Sequence, residues 1–150
     1  MSHTTSPAVQ SATGGTTSGG RRILLTGVTG FLGQAVLRSL LETTSDVHVT
    51  AVVRPKGSVS GRKRLEQLLR KPVFSSWAEL LGADGADGKA LLKEIFDERV
   101  GVLEGDLTDM PELTEPYDVV IHSASSVSFD PPIDEAFRTN VGGAQNLYEA

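Results

Sequence analysis

The chain has 150 residues, enough for one domain with a core of its own and too few for a second of similar size. Its formal charge of −5 gives no general attraction to nucleic acid or anionic lipid, and no apolar run reaches the roughly 18 residues that span a bilayer. The absence of cysteine excludes disulfides, thiolate chemistry and cysteine-ligated metals, and it fits a reducing cytoplasmic setting.

Ser2 to Gly20 is almost entirely Ser, Thr, Gly and other small residues, which bury too little surface to offset the entropy of ordering. Residues 1–20 therefore read as a disordered tail, without the basic start and apolar stretch of an export signal. Order begins near Arg21. Ile23 to Thr26 is a short apolar run closed by glycine, and Gly33 to Thr43 repeats apolar residues at helical spacing through Val36, Leu37, Leu40 and Leu41. Val47 to Val53, VHVTAVV, is β-branched and nearly all apolar, as a central parallel strand buried on both faces requires.

Arg62 to Arg70 fits an amphipathic helix, with basic residues crowding its first turn against the helix dipole. Beyond it lies an irregular insertion: a proline stop at Pro72, a helical SSWAELL, a mobile surface loop at GADGADG, and a helix from Lys89 to Phe96. Val100 to Asp109 and Tyr117 to Ser125 read as third and fourth strands, and one long helix runs from Ile133 to the end. Alternation of strands and helices implies an α/β fold, a Rossmann-type doubly wound parallel sheet with right-handed crossovers. The last helical pattern still runs at Ala150 without a stop signal, so residues 21–150 read as the N-terminal part of a domain, incomplete at its C-terminus.

Gly27, Gly30 and Gly33 form G-x-x-G-x-x-G between the first strand and the first helix. Such glycines permit a tight turn, close approach of backbone amides to a pyrophosphate, and close packing of helix on strand. Thr29, Gly30, Phe31 and Leu32 would surround the phosphates. Packing alone also selects glycine-rich turns, so the flanking strand and helix are what make the assignment. The second strand ends VVRPK, with Arg54 where a carboxylate would meet a free ribose 2′-hydroxyl. A guanidinium fork suits a 2′-phosphate, which favours NADP(H) over NAD(H). One of Arg62, Lys63 and Arg64 is a candidate second cation, with a solvated basic face as an equal alternative for each.

Asp106, in EGDL, lies where a carboxylate accepts from an adenine amino group, although turns also favour aspartate. The fourth strand closes on the small residues Ser123, Ala124 and Ser125, as a backbone lying against a cofactor needs. His122 reads as a packed, hydrogen-bonded histidine, and with His3 and His48 outside any ligand spacing no metal is expected. Two motif-like stretches fail on inspection. GSVSG has Val59 where a nucleophilic serine belongs, and GADGADGKA has neither the glycine spacing nor the Ser or Thr of a P-loop.

LLTGVTGFLG, VVRPK, RLEQLL, PVF, GDL, VIHSASSVSFD and EAFRTNVGGAQNLYEA together resemble the extended short-chain dehydrogenase/reductase superfamily, most closely its fatty acyl-CoA reductase and thioester reductase branch. The resemblance covers roughly Arg22 to Ala150. It implies that Gly27, Gly30, Phe31, Leu32 and Gly33 line the pyrophosphate, with Arg54 and Arg64 at the 2′-phosphate. It further implies Asp106 and Leu107 at adenine, Ser123 to Ser125 along the ribose, and Asn140 in support of a proton relay. A buried amide bonded to the helix backbone is a compatible reading of Asn140. Ser125 departs from the second alanine common among relatives.

The superfamily's Tyr-x-x-x-Lys pair, in which lysine lowers the tyrosine pKa, is matched by neither Tyr117 nor Tyr148, and is expected beyond Ala150. The resemblance thus implies an NADPH-dependent reductase of long-chain acyl thioesters, acyl-CoA or carrier-bound, of which this chain alone is inactive. Met1 directly before the tail favours free acyl-CoA. The alternatives are a nucleotide-sugar epimerase or dehydratase of the same superfamily, and a non-catalytic NADP(H)-sensing module.

Overall fold

The computed structural model describes residues 19–128 and 130–150, so the tail expected over residues 1–20 lies outside it up to Ser18. Strand β1 (Arg21–Thr26) leads through the glycine turn into helix α1 (Phe31–Thr43) and returns as β2 (Val47–Val53). Three helices, α2 (Gly61–Leu68), α3 (Pro72–Leu80) and α4 (Gly85–Arg99), then precede β3 (Val100–Glu104). A long connection leads to β4 (Val119–His122), and α5 (Ile133–Phe137), a π-helical turn (Arg138–Gly142) and α6 (Gly143–Glu149) follow.

The four strands form one parallel sheet in the order β3-β2-β1-β4. The chain moves outward from β1 through β2 to β3, then crosses back to place β4 on the other side of β1. The carboxyl ends of β1 and β4 therefore mark the point where strand order reverses, which is where open α/β sheets bind ligands.

Strand periodicity divides the core between two faces. Ile23 and Leu25 of β1, with Val49, Ala51 and Val53 of β2, join Leu37, Leu65, Trp77, Leu92 and Phe96 on the helix-covered face. Leu24 and Val52 point the other way, toward Leu147 of α6 and the apolar side chains of the β3–β4 connection. The insertion covers one side of the sheet, as expected, and an edge-to-face contact between Phe74 and Phe96 ties α3 to α4, with ring centroids 5.3 Å apart.

Several local expectations need correction. The preceding helix ends at Leu68, before Pro72, and Pro72 also opens α3, because a first-turn position needs no N–H. GADGADG is not a loop throughout: α4 starts at Gly85, and a Cβ on the buried Gly88 would lie 3.0 Å from the Ala83 carbonyl oxygen and 3.2 Å from the Ala78 Cβ. Glycine there serves helix packing. The third strand ends at Glu104, since the Asp106 side chain takes the Thr108 amide and turns the chain, and the fourth pairs with β1 only from Val119 to His122. The single long terminal helix is interrupted by the π-helical turn at Arg138–Gly142.

A methyl group tests how tightly α1 is held to the turn. A Cβ on Gly33 would lie 2.0 Å from the Gly27 carbonyl oxygen, whereas on Gly30 it would meet only that same oxygen at 3.3 Å. Gly33→Ala should lower the thermal midpoint by about 3–9 °C through overpacking of about 1–3 kcal/mol. Gly30→Ala should shift it far less. Equal midpoints for the two variants in a thermal melt would contradict this packing.

Candidate cofactor-binding site

At the reversal point the three glycines have different tasks. Gly27 follows Thr26 with φ of +77°, a left-handed conformation that glycine adopts without strain. It also lies against β4: a Cβ there would be 2.6 Å from the Ala124 nitrogen. Gly33 lets α1 rest on the Gly27 carbonyl, and Gly30 donates its N–H to that carbonyl at 3.0 Å. Only Gly30 presents its missing side chain to open space beside the turn.

Helix α1 starts at Phe31 with no side-chain cap and no acidic residue in its first turn. Its first amides are thus left for an anion, which the helix dipole also favours. Phe31 and Leu32 are 94% and 61% exposed and their side chains are apolar, so only their backbone N–H groups can serve a phosphate.

In front of this helix start lies a cleft of ≈ 270 Å³. It is lined by Gly27, Thr29 and Gly30 after β1, by Arg54 after β2 with Arg64 of α2, by Asp106 and Leu107 after β3, and by Ser123, Ala124 and Ser125 after β4. Phe31, Leu32, Gly33 and Asn140 do not border it, although Thr139, next to Asn140, does.

Of the three clustered basic residues, one reaches the cleft. Arg62 pairs with Glu66 and Asp97 and donates to the Val100 carbonyl, which offsets its unfavourable place in the first turn of α2. Lys63 is exposed away from the cleft. Arg64 donates to the backbone carbonyl of Arg54. The Arg54 guanidinium crosses from the end of β2 to donate to Asp106 Oδ2 at 3.1 Å.

Asp106 is held from its other side as well. Its Oδ1 accepts the Thr108 backbone N–H at 3.1 Å and the Thr108 hydroxyl at 3.0 Å. These bonds, the backbone one foremost, and the nearby Arg54 guanidinium hold the Asp106 carboxyl below the usual carboxylate range. Asn146 of α6 fixes the same loop by donating to the Leu107 carbonyl at 2.8 Å.

The β4 segment is tied to β1 by a network that the sequence did not single out. The buried Thr26 hydroxyl bonds His122 Nδ1 at 2.7 Å and accepts the Ala124 N–H at 3.3 Å, while the Ser123 hydroxyl donates to the Thr26 carbonyl at 2.7 Å. His122 is the packed, hydrogen-bonded residue expected. A polar residue directly before Gly27 in an apolar strand was the available signal for Thr26.

Asn140 is neither buried nor bonded to its own helix. From the π-helical turn its Oδ1 accepts the Ser126 N–H at 2.7 Å and its Nδ2 donates to the Ser126 carbonyl at 3.4 Å. A π turn shifts the helical register by one residue, and here it aims the amide at the loop after β4 instead of along the helix axis. Neither tyrosine borders the cleft: Tyr117 stacks under Arg22 at 5.4 Å, and Tyr148 is exposed on α6.

Residues 25–150 match the NAD-binding family model described as Male sterility protein. Fatty acyl-CoA reductase 2 of Homo sapiens is 29% identical over 130 residues, which cover 86% of this chain and 25% of that protein. The terminal R domain of the myxalamid PKS-NRPS pathway superposes with a TM-score of 0.63 at 27% identity, over 89% of this chain and 32% of that one. The reductase domain of a nonribosomal peptide synthetase from Mycobacterium tuberculosis does so with a TM-score of 0.57 at 27% identity, over 85% of this chain and 29% of that one. The chain spans about a quarter of the length of the curated relatives it matches. It belongs to the Male sterility protein family, within the fatty acyl-CoA reductase-like branch of the extended short-chain dehydrogenases/reductases.

Proposed function

We propose that the protein is an NADPH-dependent reductase of acyl thioesters, and that this chain carries the adenosine and pyrophosphate half of its cofactor site. The observation that carries the reading is the cleft at the strand-order reversal, with an uncapped helix start at one side and Arg54 and Arg64 at the end of β2. The fit to a dinucleotide is physical: a Cβ on Gly27 would drive into the Ala124 backbone, and one on Gly30 would point into the space a pyrophosphate needs.

In this reading the backbone N–H groups of Phe31, Leu32 and Gly33 donate to the pyrophosphate oxygens. Arg54 and Arg64 meet the 2′-phosphate, Asp106 and Leu107 meet adenine, and Ser123 to Ser125 form the surface for the ribose. Arg54 presents a planar fork that a lysine could not replace. Asn140 acts at one remove, by fixing Ser126 and with it the loop that carries Ser125. A bound nicotinamide would supply a hydride to the thioester carbonyl carbon; with a proton from solvent on the departing thiolate the products would be a thiol and an aldehyde, and a second hydride and proton would give an alcohol. The family supports an acyl thioester as substrate, and in this reading it is a fatty acyl group as its CoA or carrier-protein thioester.

Replacing Arg54 by Glu in the full-length protein should weaken NADPH far more than NADH, by about 1–3 kcal/mol for the lost charge-assisted phosphate contact. Equal losses for both cofactors in a fluorescence titration would remove Arg54 from the phosphate. Gly30→Val should abolish binding of either dinucleotide while leaving the circular dichroism spectrum intact; retained binding would displace the pyrophosphate from this turn. NADPH consumption with a panel of acyl-CoA substrates, with product analysis, tests the reaction itself. Aldehyde or alcohol in step with NADPH oxidation is expected, and no turnover with any chain length would argue against a thioester reductase.

A further inference from the structure

We infer that Asp106 is a positioning residue for Arg54, holding the guanidinium where a ribose 2′-phosphate arrives and thereby strengthening the preference for NADP(H) over NAD(H). The inference rests on the cofactor reading above and adds to it a second task for a residue assigned only to adenine.

The geometry is specific about which oxygen does what. Thr108 supplies two donors to Asp106 Oδ1, one of them a backbone N–H, so the carboxylate is locked in orientation before any ligand arrives. A carboxylate oxygen offers two lone-pair directions, so Oδ1 is satisfied and Oδ2 is the atom left to act. Oδ2 takes one Arg54 N–H at 3.1 Å and keeps one direction for an adenine amino group.

Arg54 is constrained at both ends. Arg64 holds its backbone carbonyl and Asp106 holds one guanidinium nitrogen, and no other side-chain bond of Arg54 exists among the described residues. Its side chain is nonetheless 70% exposed, so the rest of the fork stays open to the cleft. Arginine loses much rotamer freedom on binding an anion, and a partner that has already ordered it reduces that loss.

The opposing effect is repulsion between the Asp106 carboxylate and an incoming phosphate. Both would flank one guanidinium at the edge of an open cleft, with the Asp106 side chain 33% exposed, where water and salt screen that repulsion. The same screening weakens the Arg54–Asp106 attraction, so the ordering of Arg54 rests on the short-range hydrogen bond at 3.1 Å. Although 52 positions apart in sequence, the partners join the end of β2 to the turn after β3, so the phosphate and adenine contacts are mechanically linked.

The test is the ratio of NADPH to NADH affinity in the full-length protein, because both cofactors share the adenine and a merely structural fault in the Asp106 turn weakens them alike. Asp106→Asn keeps an oxygen for Thr108 and removes the charge that holds Arg54. It should lower the ratio by about two- to tenfold, the range expected for one disordered long side chain. The same substitution in an Arg54→Ala background should leave the ratio unchanged. A ratio that stays constant or rises in Asp106→Asn, or a fall that persists without Arg54, would overturn the positioning role while leaving the cofactor reading intact. A wild-type protein that binds NADPH no better than NADH would instead overturn the cofactor reading, and this inference with it.

Discussion

Everything in this fold that faces the cleft depends on how closely three backbones meet at Gly27. The turn after β1 presses against Ser123 and Ala124 of the β4 segment, and α1 presses against the turn through Gly33. Side chains at these positions would push α1 away from the sheet and β4 away from β1. Because they are absent, the helix starts directly over the end of the sheet, where its unpaired amides and its dipole act on the same small volume. The Thr26 hydroxyl then locks the junction by bonding both His122 and Ala124.

On that frame the charges fall into a simple division. The end at the start of α1 carries backbone N–H groups and no acidic side chain in the first turn. The far end carries Arg54 and Arg64, and Asp106 is the acidic residue that lines the cleft beside them. Arg62 and Lys63, adjacent in sequence to Arg64, are turned elsewhere: Arg62 is consumed by Glu66 and Asp97 on the outer face of the helix layer. Like charges at three consecutive positions thus have different uses because α2 presents only one of them to the cleft.

Much of this was legible in the sequence, for a physical reason. β1, α1 and β2 are short elements with clear periodicity, and glycine at fixed spacing reports the backbone contacts directly, so Gly27, Gly30, Gly33 and Arg54 could be placed without coordinates. What escaped the reading depends on contacts distant in sequence or on a change of register. The end of β3 is set by the Asp106 side chain capturing Thr108, which composition does not reveal. The start of α4 within GADGADG follows from Gly88 packing on Ala78 and Ala83, a tertiary gain that overrides the weak helix propensity of glycine. The π turn moved Asn140 from its own helix to Ser126, and helical periodicity has no mark for such an insertion. The Arg54–Asp106 pair joins two ends of neighbouring strands, and only the register of Val53 opposite Glu104 brings them together.

The most direct test of the account is a crystal structure of the full-length protein with NADP⁺ bound. The account predicts the pyrophosphate on the amides of Phe31 to Gly33, the 2′-phosphate against Arg54 and Arg64, and the adenine amino group on Asp106. A dinucleotide seated with its pyrophosphate away from the start of α1, or with its 2′-phosphate facing solvent, would contradict it.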